Sequence, residues 1–198
     1  MKSANPTSLL PARQRILVTA HDLFYSEGIR ATGIDRIIAE SGVTKVTFYR
    51  HFPSKNDLIV AYLEHRHLLW MDWLNEALER HREPGREVAA RLVAVFREWF
   101  ESEGYRGCAF LNAVVELGRT LPEVAKIATR HKNEVTEVIA HLLPESPDCQ
   151  NRALAIAVAL DGAILHAQTE NAPKSALAAL ETLLKAIINS ESTIQYTS

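Results

Sequence analysis

The chain has 198 residues, with 22 Lys and Arg against 24 Asp and Glu, so its formal net charge is −2. A hydrophobic fraction of 47% with few Gly and Pro is ordinary for a soluble, helix-rich protein of one large or two small domains. Two cysteines are too few for a disulfide framework, and no apolar run has the length of a signal peptide or a bilayer span, so we expect a cytoplasmic protein with no membrane partner.

Charge is distributed unevenly along the chain. Residues 1–60 hold eight Lys and Arg against five Asp and Glu, a net charge of +3, whereas the remainder holds 14 against 19, a net charge of −5. A basic N-terminal part favours binding of that end of the molecule to the phosphates of a nucleic acid. Because an excess of this size is common, it supports such a role only together with a motif.

The first predicted helix spans residues 11–27. Its apolar positions recur at one-turn spacing and form one face, and Gly28 ends it. The connection that follows, residues 29–33, contains Thr32, which we expect to cap the next helix.

Two further helices follow closely. The pattern predicts a helix over residues 34–41, which Gly42 ends in a left-handed conformation that costs glycine little. The Thr44 side chain is placed to cap a third helix over residues 45–51. The connection between the two has the turn length of a helix-turn-helix.

The third helix has too few apolar residues for a core helix. Val46, Phe48 and Phe52 are available to anchor it. The side chains left outside can all donate hydrogen bonds to bases or phosphates: Lys45, Thr47, Tyr49, Arg50 and His51. Pro53 ends this helix, and Lys55 lies in the first turn of the next, where its ammonium and the free amides suit a phosphate.

Residues 42–58, GVTKVTFYRHFPSKNDL, resemble the signature GV[ST]xxx[LF]YxHFxxKxxL of the TetR/AcrR family of bacterial repressors, and the resemblance covers residues 13–60. It implies an all-α homodimer of about nine helices, with a helix-turn-helix DNA-binding domain at residues 1–53 and a ligand-binding and dimerisation domain at residues 54–198. It also implies that the protein binds a double-stranded DNA operator and leaves it when a small-molecule effector occupies the second domain.

The resemblance assigns DNA contacts in and around the third helix. The residues predicted to make them are Thr32, Thr44, Lys45, Val46, Thr47, Tyr49, Arg50, His51 and Lys55. Family members contact phosphate at the places of Thr32 and Tyr49. Many members have a small residue in place of Val46, so this helix either approaches the bases differently or sets Val46 against a thymine methyl group.

The rest of the chain also predicts helices. A long helix over residues 54–82 has two apolar stripes and therefore two packing partners. Helices over residues 86–102, 108–117 and 122–144 come next, and RGCAFLNAVVEL within them resembles a GCxFxNA segment of a TetR subgroup.

The last two predicted helices span residues 146–171 and 174–189. The former is apolar all round at residues 153–160, which indicates burial on every side, and a second copy of the chain is a candidate for the missing partner. We predict that both helices contribute to a four-helix homodimer interface. Its predicted residues are Ile156, Leu160, Ile164, Leu177, Leu180, Leu184 and Ile187. Packing within one copy remains an open alternative.

We predict an effector site between the far end of the long helix and the next three helices. The candidate lining residues are His67, Trp70, Trp73, Phe96, Trp99, Phe110, Asn112, Glu116 and His131. Polar atoms within strongly apolar helices indicate a cavity, and an apolar or aromatic molecule with one or two polar groups is the expected ligand. The alternative is that most of these aromatic residues form ordinary core.

Single features of the sequence bear on other classes of function, namely metal or thiol sensors, architectural DNA-binding proteins and enzymes. Eight histidines suggest a metal sensor, but His65 and His67 lie on different faces of a helix, which is poor geometry for binding one metal ion. Cys108, near Arg106, suggests a thiol switch. A non-specific architectural DNA-binding protein would not need a long acidic helical body. An enzyme is disfavoured because no phosphate loop, nucleophile elbow or catalytic cluster is present, so we expect no catalytic residue, no metal and no cofactor.

Overall fold

The computed structural model describes residues 9–170 and 173–190. Within these residues the chain forms helices and no strand, which confirms the predicted all-α class. The helices are α1 (Ala12–Glu27), α2 (Ile34–Ser41), α3 (Lys45–His51), α4 (Lys55–Arg80), α5 (Val88–Phe100), α6 (Ala109–Leu117), α7 (Pro122–Ala140), α8 (Cys149–Glu170) and α9 (Pro173–Asn189). No helix in this part of the chain combines the length and apolar character needed to cross a bilayer.

The chain divides into two compact units. The first contains Met1–Leu69 and Ala109–Ala128, and the second contains Trp70–Cys108 and Thr129–Ser198. The division therefore lies inside α4 and again inside α7, whereas the sequence pattern predicts a boundary just before α4. The first half of α4 and the whole of α6 thus accompany the three N-terminal helices.

In the first unit, α1 packs against α2 and α3 through one apolar face. The buried residues of that face are Ile16, Leu17, Ala20, Leu23 and Phe24. The first half of α4 packs on the same helix, since the rings of Phe24 and Tyr62 meet edge to face with centroids 5.3 Å apart and Tyr62 is buried. One apolar cluster therefore joins α1 to α4.

In the second unit, α9 packs along α8 and also contacts α5. Six of the residues predicted for a contact between copies are buried inside this packing, namely Ile156, Leu160, Ile164, Leu177, Leu180 and Leu184, and Ile187 is half-buried. These side chains are thus covered within one copy, which is the alternative left open above, and their part in a contact between copies stays a prediction. A helix that is apolar all round does not reveal which face its own chain covers, and here the face that we assigned to a partner is buried within one copy.

The opposite face of α8 and α9 is apolar and exposed. It carries Leu154, Val158 and Leu165 of α8 and Leu183 of α9, which are between 49% and 64% exposed, and we name these four residues the exposed stripe. A groove of about 520 Å³ lies along it, lined in part by Gly162 and Ala179. Within one copy α8 is therefore buried on one side and exposed on the other, and its burial on every side by a second copy stays a prediction.

Replacing Leu160 with Ala should lower the free energy of unfolding by about 2–5 kcal/mol, because the side chain is only 2% exposed and its loss leaves a cavity in the core of the second unit. Val115→Ala on α6 is the control, because Val115 is 87% exposed and its truncation should change stability by less than about 0.5 kcal/mol. Urea unfolding of both variants measures the difference. Equal effects would show that Leu160 is not a core residue of the second unit.

Candidate nucleic-acid interface

The turn between α2 and α3 is set by a glycine. Gly42 adopts the left-handed conformation with φ 63° and ψ 33°, and its N–H donates to Ala39 O at 3.3 Å. Val43 N–H then donates to Ile38 O at 3.4 Å, so the last carbonyls of α2 are satisfied within the turn. A residue with a Cβ atom would be strained at this φ, and Gly42 therefore permits the short connection.

The first turn of α3 is closed by Thr44. Thr44 has extended backbone angles, and its Oγ1 accepts a hydrogen bond from Thr47 N–H at 3.2 Å. The hydroxyl groups of the same two residues lie 2.9 Å apart, within hydrogen-bond distance. Such a cap satisfies an amide that has no partner inside the helix, which matters in a helix of seven residues.

Aromatic side chains anchor α3 to the first unit. Phe48 is the one buried residue of α3, at 0% exposure, and Phe52, which follows the helix, is 2% exposed. Their ring centroids lie 6.3 Å apart, and the Arg13 guanidinium lies over the Phe52 ring at 5.2 Å from its centroid. The orientation of α3 about its own axis is therefore fixed by Phe48, with Phe52 securing the exit of the chain.

The remaining side chains of α3 lie at the surface. Lys45, Val46, Tyr49 and Arg50 are exposed, and Val46 reaches 79%. The Lys45 ammonium lies 3.9 Å from the Asp35 carboxylate, but both side chains are so exposed that this pair is weak and Lys45 remains available to a ligand. Thr47 and His51, two further predicted DNA contacts, are half-buried.

Two of the predicted DNA contacts, Thr32 and Lys55, donate hydrogen bonds to backbone carbonyl groups. Thr32 is 0% exposed, and its hydroxyl donates to Gly28 O at 2.8 Å. Gly33 is the N-cap residue of α2, and no side chain caps that helix, so the prediction that Thr32 caps α2 is wrong. Because Thr32 is buried, its hydroxyl is not exposed to a phosphate. The Lys55 ammonium donates to Ile29 O at 2.7 Å, inside the first unit.

An arginine of α2 forms an ion pair with a glutamate of α1. Arg36 donates to both carboxylate oxygens of Glu27, one of them at 2.8 Å, and through Nε to Glu40 at 2.7 Å. The hydrogen bonds from Arg36 lower the pKa of the Glu27 carboxyl. The spacing of Arg36 and Glu40 by one helical turn is visible in the sequence, whereas the contact with Glu27 depends on how α1 and α2 pack.

Five of the predicted effector-site residues come together in the second unit. The indole of Trp70 contacts Trp99 and His131, with centroids 5.6 and 5.1 Å apart, and Trp73 and Phe96 complete the group. We name these five residues the aromatic cluster. Trp70 and His131 are buried, and Trp70 Nε1 finds no hydrogen-bond acceptor among the described residues.

The other four predicted effector-site residues belong to the first unit. His67 and Phe110 are buried and Asn112 is half-buried. Glu116, at the end of α6, accepts hydrogen bonds from the backbone N–H groups of Ile29 and Arg30 at 3.2 and 2.8 Å. Sequence reasoning did not anticipate this contact, because 86 residues separate Glu116 from Arg30.

In the part of the chain that the structure describes, no group of three or more His, Cys, Asp or Glu side chains is arranged to hold a metal ion. Cys108 is buried and Cys149 is half-buried, and both are free thiols.

Comparisons with known proteins agree with this geometry. The family model described as "Bacterial regulatory proteins, tetR family" matches residues 16–62, which include α2 and α3. A TetR-family transcriptional regulator from Streptomyces coelicolor has 31% sequence identity and superposes with a TM-score of 0.72, over 89% of this chain and 95% of that one.

Two curated relatives match parts of the chain. The HTH-type transcriptional activator FasR of Mycolicibacterium smegmatis is 31% identical over 154 residues, which is 75% of this chain and 66% of that protein. An uncharacterized HTH-type transcriptional regulator in the lacX 3' region of Lactococcus lactis is 28% identical over 111 residues, 56% of this chain and 57% of that protein. The chain therefore spans somewhat less than two thirds of the length of these relatives.

Replacing Thr44 with Ala should lower the free energy of unfolding by about 1 kcal/mol, because the amide of Thr47 loses its acceptor. Thr44→Ser is the matched control, since serine keeps the capping oxygen and should retain most of that stability. Chemical denaturation of the three proteins measures the effect. A Ser variant as unstable as the Ala variant would contradict a capping role for the hydroxyl.

Proposed function

Because the chain belongs to the TetR family of bacterial regulatory proteins, we propose that it is a sequence-specific DNA-binding transcriptional regulator whose α3 enters the major groove. The observation that carries the proposal is the asymmetry of α3: Phe48 faces the core, and the exposed side is lined with Lys45, Tyr49 and Arg50. Such a helix contributes little to the core beyond one aromatic ring, and its polar side chains suit bases and phosphates.

The side chains of α3 suit different parts of a duplex. Lys45, in the first turn, is suited to the two acceptors on the major-groove edge of guanine, and the exposed Val46 to the methyl group of thymine. Tyr49 and Arg50 are suited to phosphate oxygens, which would fix the register of the helix. Lys55 donates one hydrogen bond to Ile29 O, and its ammonium has further donors that suit a phosphate.

We further propose that the protein acts as a homodimer through the exposed stripe. A helix of seven residues reaches few base pairs, so a second copy is needed to read a longer site. Two α3 helices about 34–36 Å apart would read successive half-sites of a palindrome. Four large apolar side chains in one stripe on α8 and α9, beside small residues that permit close approach, support this surface as the contact between copies.

The proposed effector is an apolar or aromatic molecule that carries a hydrogen-bond acceptor, bound at the aromatic cluster. A buried N–H group without an acceptor costs about 1–3 kcal/mol, which a ligand oxygen or nitrogen at Trp70 Nε1 would recover. The neighbouring rings of Trp73 and Trp99 would pack against the apolar part of the same molecule.

We propose that the effector releases the protein from its operator, so that the protein is a repressor acting in the cytoplasm. A second candidate is an activator, which the similarity to FasR favours because that relative is named a transcriptional activator. The two candidates differ in whether transcription from the bound promoter falls or rises when the protein is present.

Gel shifts with duplexes from the region upstream of the gene test the DNA-binding proposal. The wild type should select a palindromic duplex, and Lys45→Ala should weaken binding to it by about 5–150-fold and relax the preference for it over other duplexes. Lys174→Ala is the control, since Lys174 is exposed on α9. A Lys45→Ala protein that keeps the affinity and preference of the wild type would contradict base reading by α3.

Sedimentation of a charged variant tests the dimer surface. Val158→Glu places a carboxylate in the middle of the exposed stripe and should convert the dimer to a monomer at micromolar concentration, because the charge would be buried without a partner. Asn133→Glu, at an exposed position of α7, adds the same charge elsewhere and should leave the dimer intact. A monomeric wild type, or a dimeric Val158→Glu variant, would refute the assignment.

A further inference from the structure

The backbone between α1 and α2 is held by side chains rather than by regular structure. Gly28, with φ 93°, ends α1, and its N–H donates to Phe24 O at 3.1 Å. Gly28 O accepts the hydroxyl of Thr32, and Ile29 O accepts the Lys55 ammonium. We name residues 28–33 the α1–α2 connection. Its geometry determines where α2 begins, and through the Gly42 turn it determines where α3 lies.

Two amides of this connection depend on a residue far along the chain. The Glu116 carboxylate accepts from Ile29 N–H through Oε1 at 3.2 Å and from Arg30 N–H through Oε2 at 2.8 Å. Glu116 lies in the last turn of α6, and α6 belongs to the same compact unit as the three N-terminal helices. A carboxylate that receives two backbone N–H groups makes charge-assisted hydrogen bonds, which are stronger than those between neutral groups.

The connection that Glu116 contacts begins at Gly28, whose conformation disfavours other residues. A Cβ atom at Gly28 would lie 3.4 Å from Glu116 Oε1, and the positive φ of Gly28 is strained for other residues. In this conformation of the connection, the N–H groups of Ile29 and Arg30 both donate to the Glu116 carboxylate of α6.

Lys55 completes the arrangement from the other side of the same peptide. The Lys55 ammonium donates a hydrogen bond to Ile29 O, and Ile29 N–H donates one to the Glu116 carboxylate. Partial burial lowers the pKa of Lys55, and the negative charge of Glu116 opposes that shift. The Ile29 peptide is thus held between a cation from α4 and an anion from α6, and the Ile29 side chain is 3% exposed in the core.

We infer that Glu116 is a positioning residue for the DNA-reading helix, and that it is the link through which α6 acts on the helix-turn-helix. The inference rests on the proposed DNA-binding function. A displacement of α6 by about 1 Å is enough to lengthen both hydrogen bonds beyond their useful range. The connection would then lose two acceptors at once, and Lys55, freed from a fixed Ile29 carbonyl, would change its position relative to a phosphate. Glu116 therefore makes operator affinity depend on the position of α6.

Glu116→Gln tests this inference with little change of shape. The glutamine amide keeps one acceptor but turns an NH₂ group toward a backbone N–H, so one of the two contacts is lost. We expect operator affinity to fall by about tenfold and hydrogen exchange at the amides of Ile29 and Arg30 to accelerate by at least tenfold, while the variant remains folded. Glu123→Gln, at an exposed position of α7 in the same unit, removes the same charge and should match the wild type in both measurements.

Glu116→Asp gives a second variant, which keeps the charge but shortens the reach by one methylene group. It should lose affinity as Glu116→Gln does, because the geometry of the carboxylate and not its charge alone holds the connection. Wild-type affinity in both variants, or unchanged exchange at Ile29 and Arg30, would overturn the inference while leaving the proposed function intact. A wild type that selects no duplex would instead overturn the proposed function and this inference with it.

Discussion

The burial of Phe48 is the interaction on which the DNA-reading surface depends. A seven-residue helix is too short to persist on its own in water, so α3 exists because its one buried ring packs in the first unit and Thr44 closes its first turn. The same ring decides which side of α3 faces outward. Lys45, Val46, Tyr49 and Arg50 are exposed because they lie on the remaining sides of a helix whose rotation Phe48 has fixed.

The support of that surface extends well beyond the helix-turn-helix. Arg36 ties α2 to α1 through Glu27, Lys55 ties α4 to the α1–α2 connection, and Glu116 brings a carboxylate from α6 to the same connection. Each of these contacts uses an ionised side chain, and two of them end on the backbone groups of Ile29. A short segment without regular structure is thereby held by side chains of α4 and α6, and its position depends in part on α6, which carries no predicted DNA contact.

The local signals of the sequence were sufficient for the helix-turn-helix. Gly42, Thr44 and Pro53 mark its ends by their own conformational preferences, so α2 and α3 begin and end where the pattern predicts. The other functional surfaces depend on packing that no local pattern carries. A face of α8 that is buried within one copy was assigned to a second copy because α8 is apolar on all sides. Thr32 was assigned to a phosphate, although it is buried and its hydroxyl donates to Gly28 O. Glu116 carries no signal in its neighbourhood, because its partners are backbone amides 86 and 87 residues away.

The central claim is that the exposed side of α3 is the surface that meets DNA. Titration of the ¹⁵N-labelled protein with a duplex from the upstream region, followed by amide chemical shifts, tests it most directly. The largest shifts should cluster at the Thr44 cap and along α3, with smaller ones at the first turn of α4. Saturating binding that leaves the α3 amides unchanged and shifts those of another surface would contradict it.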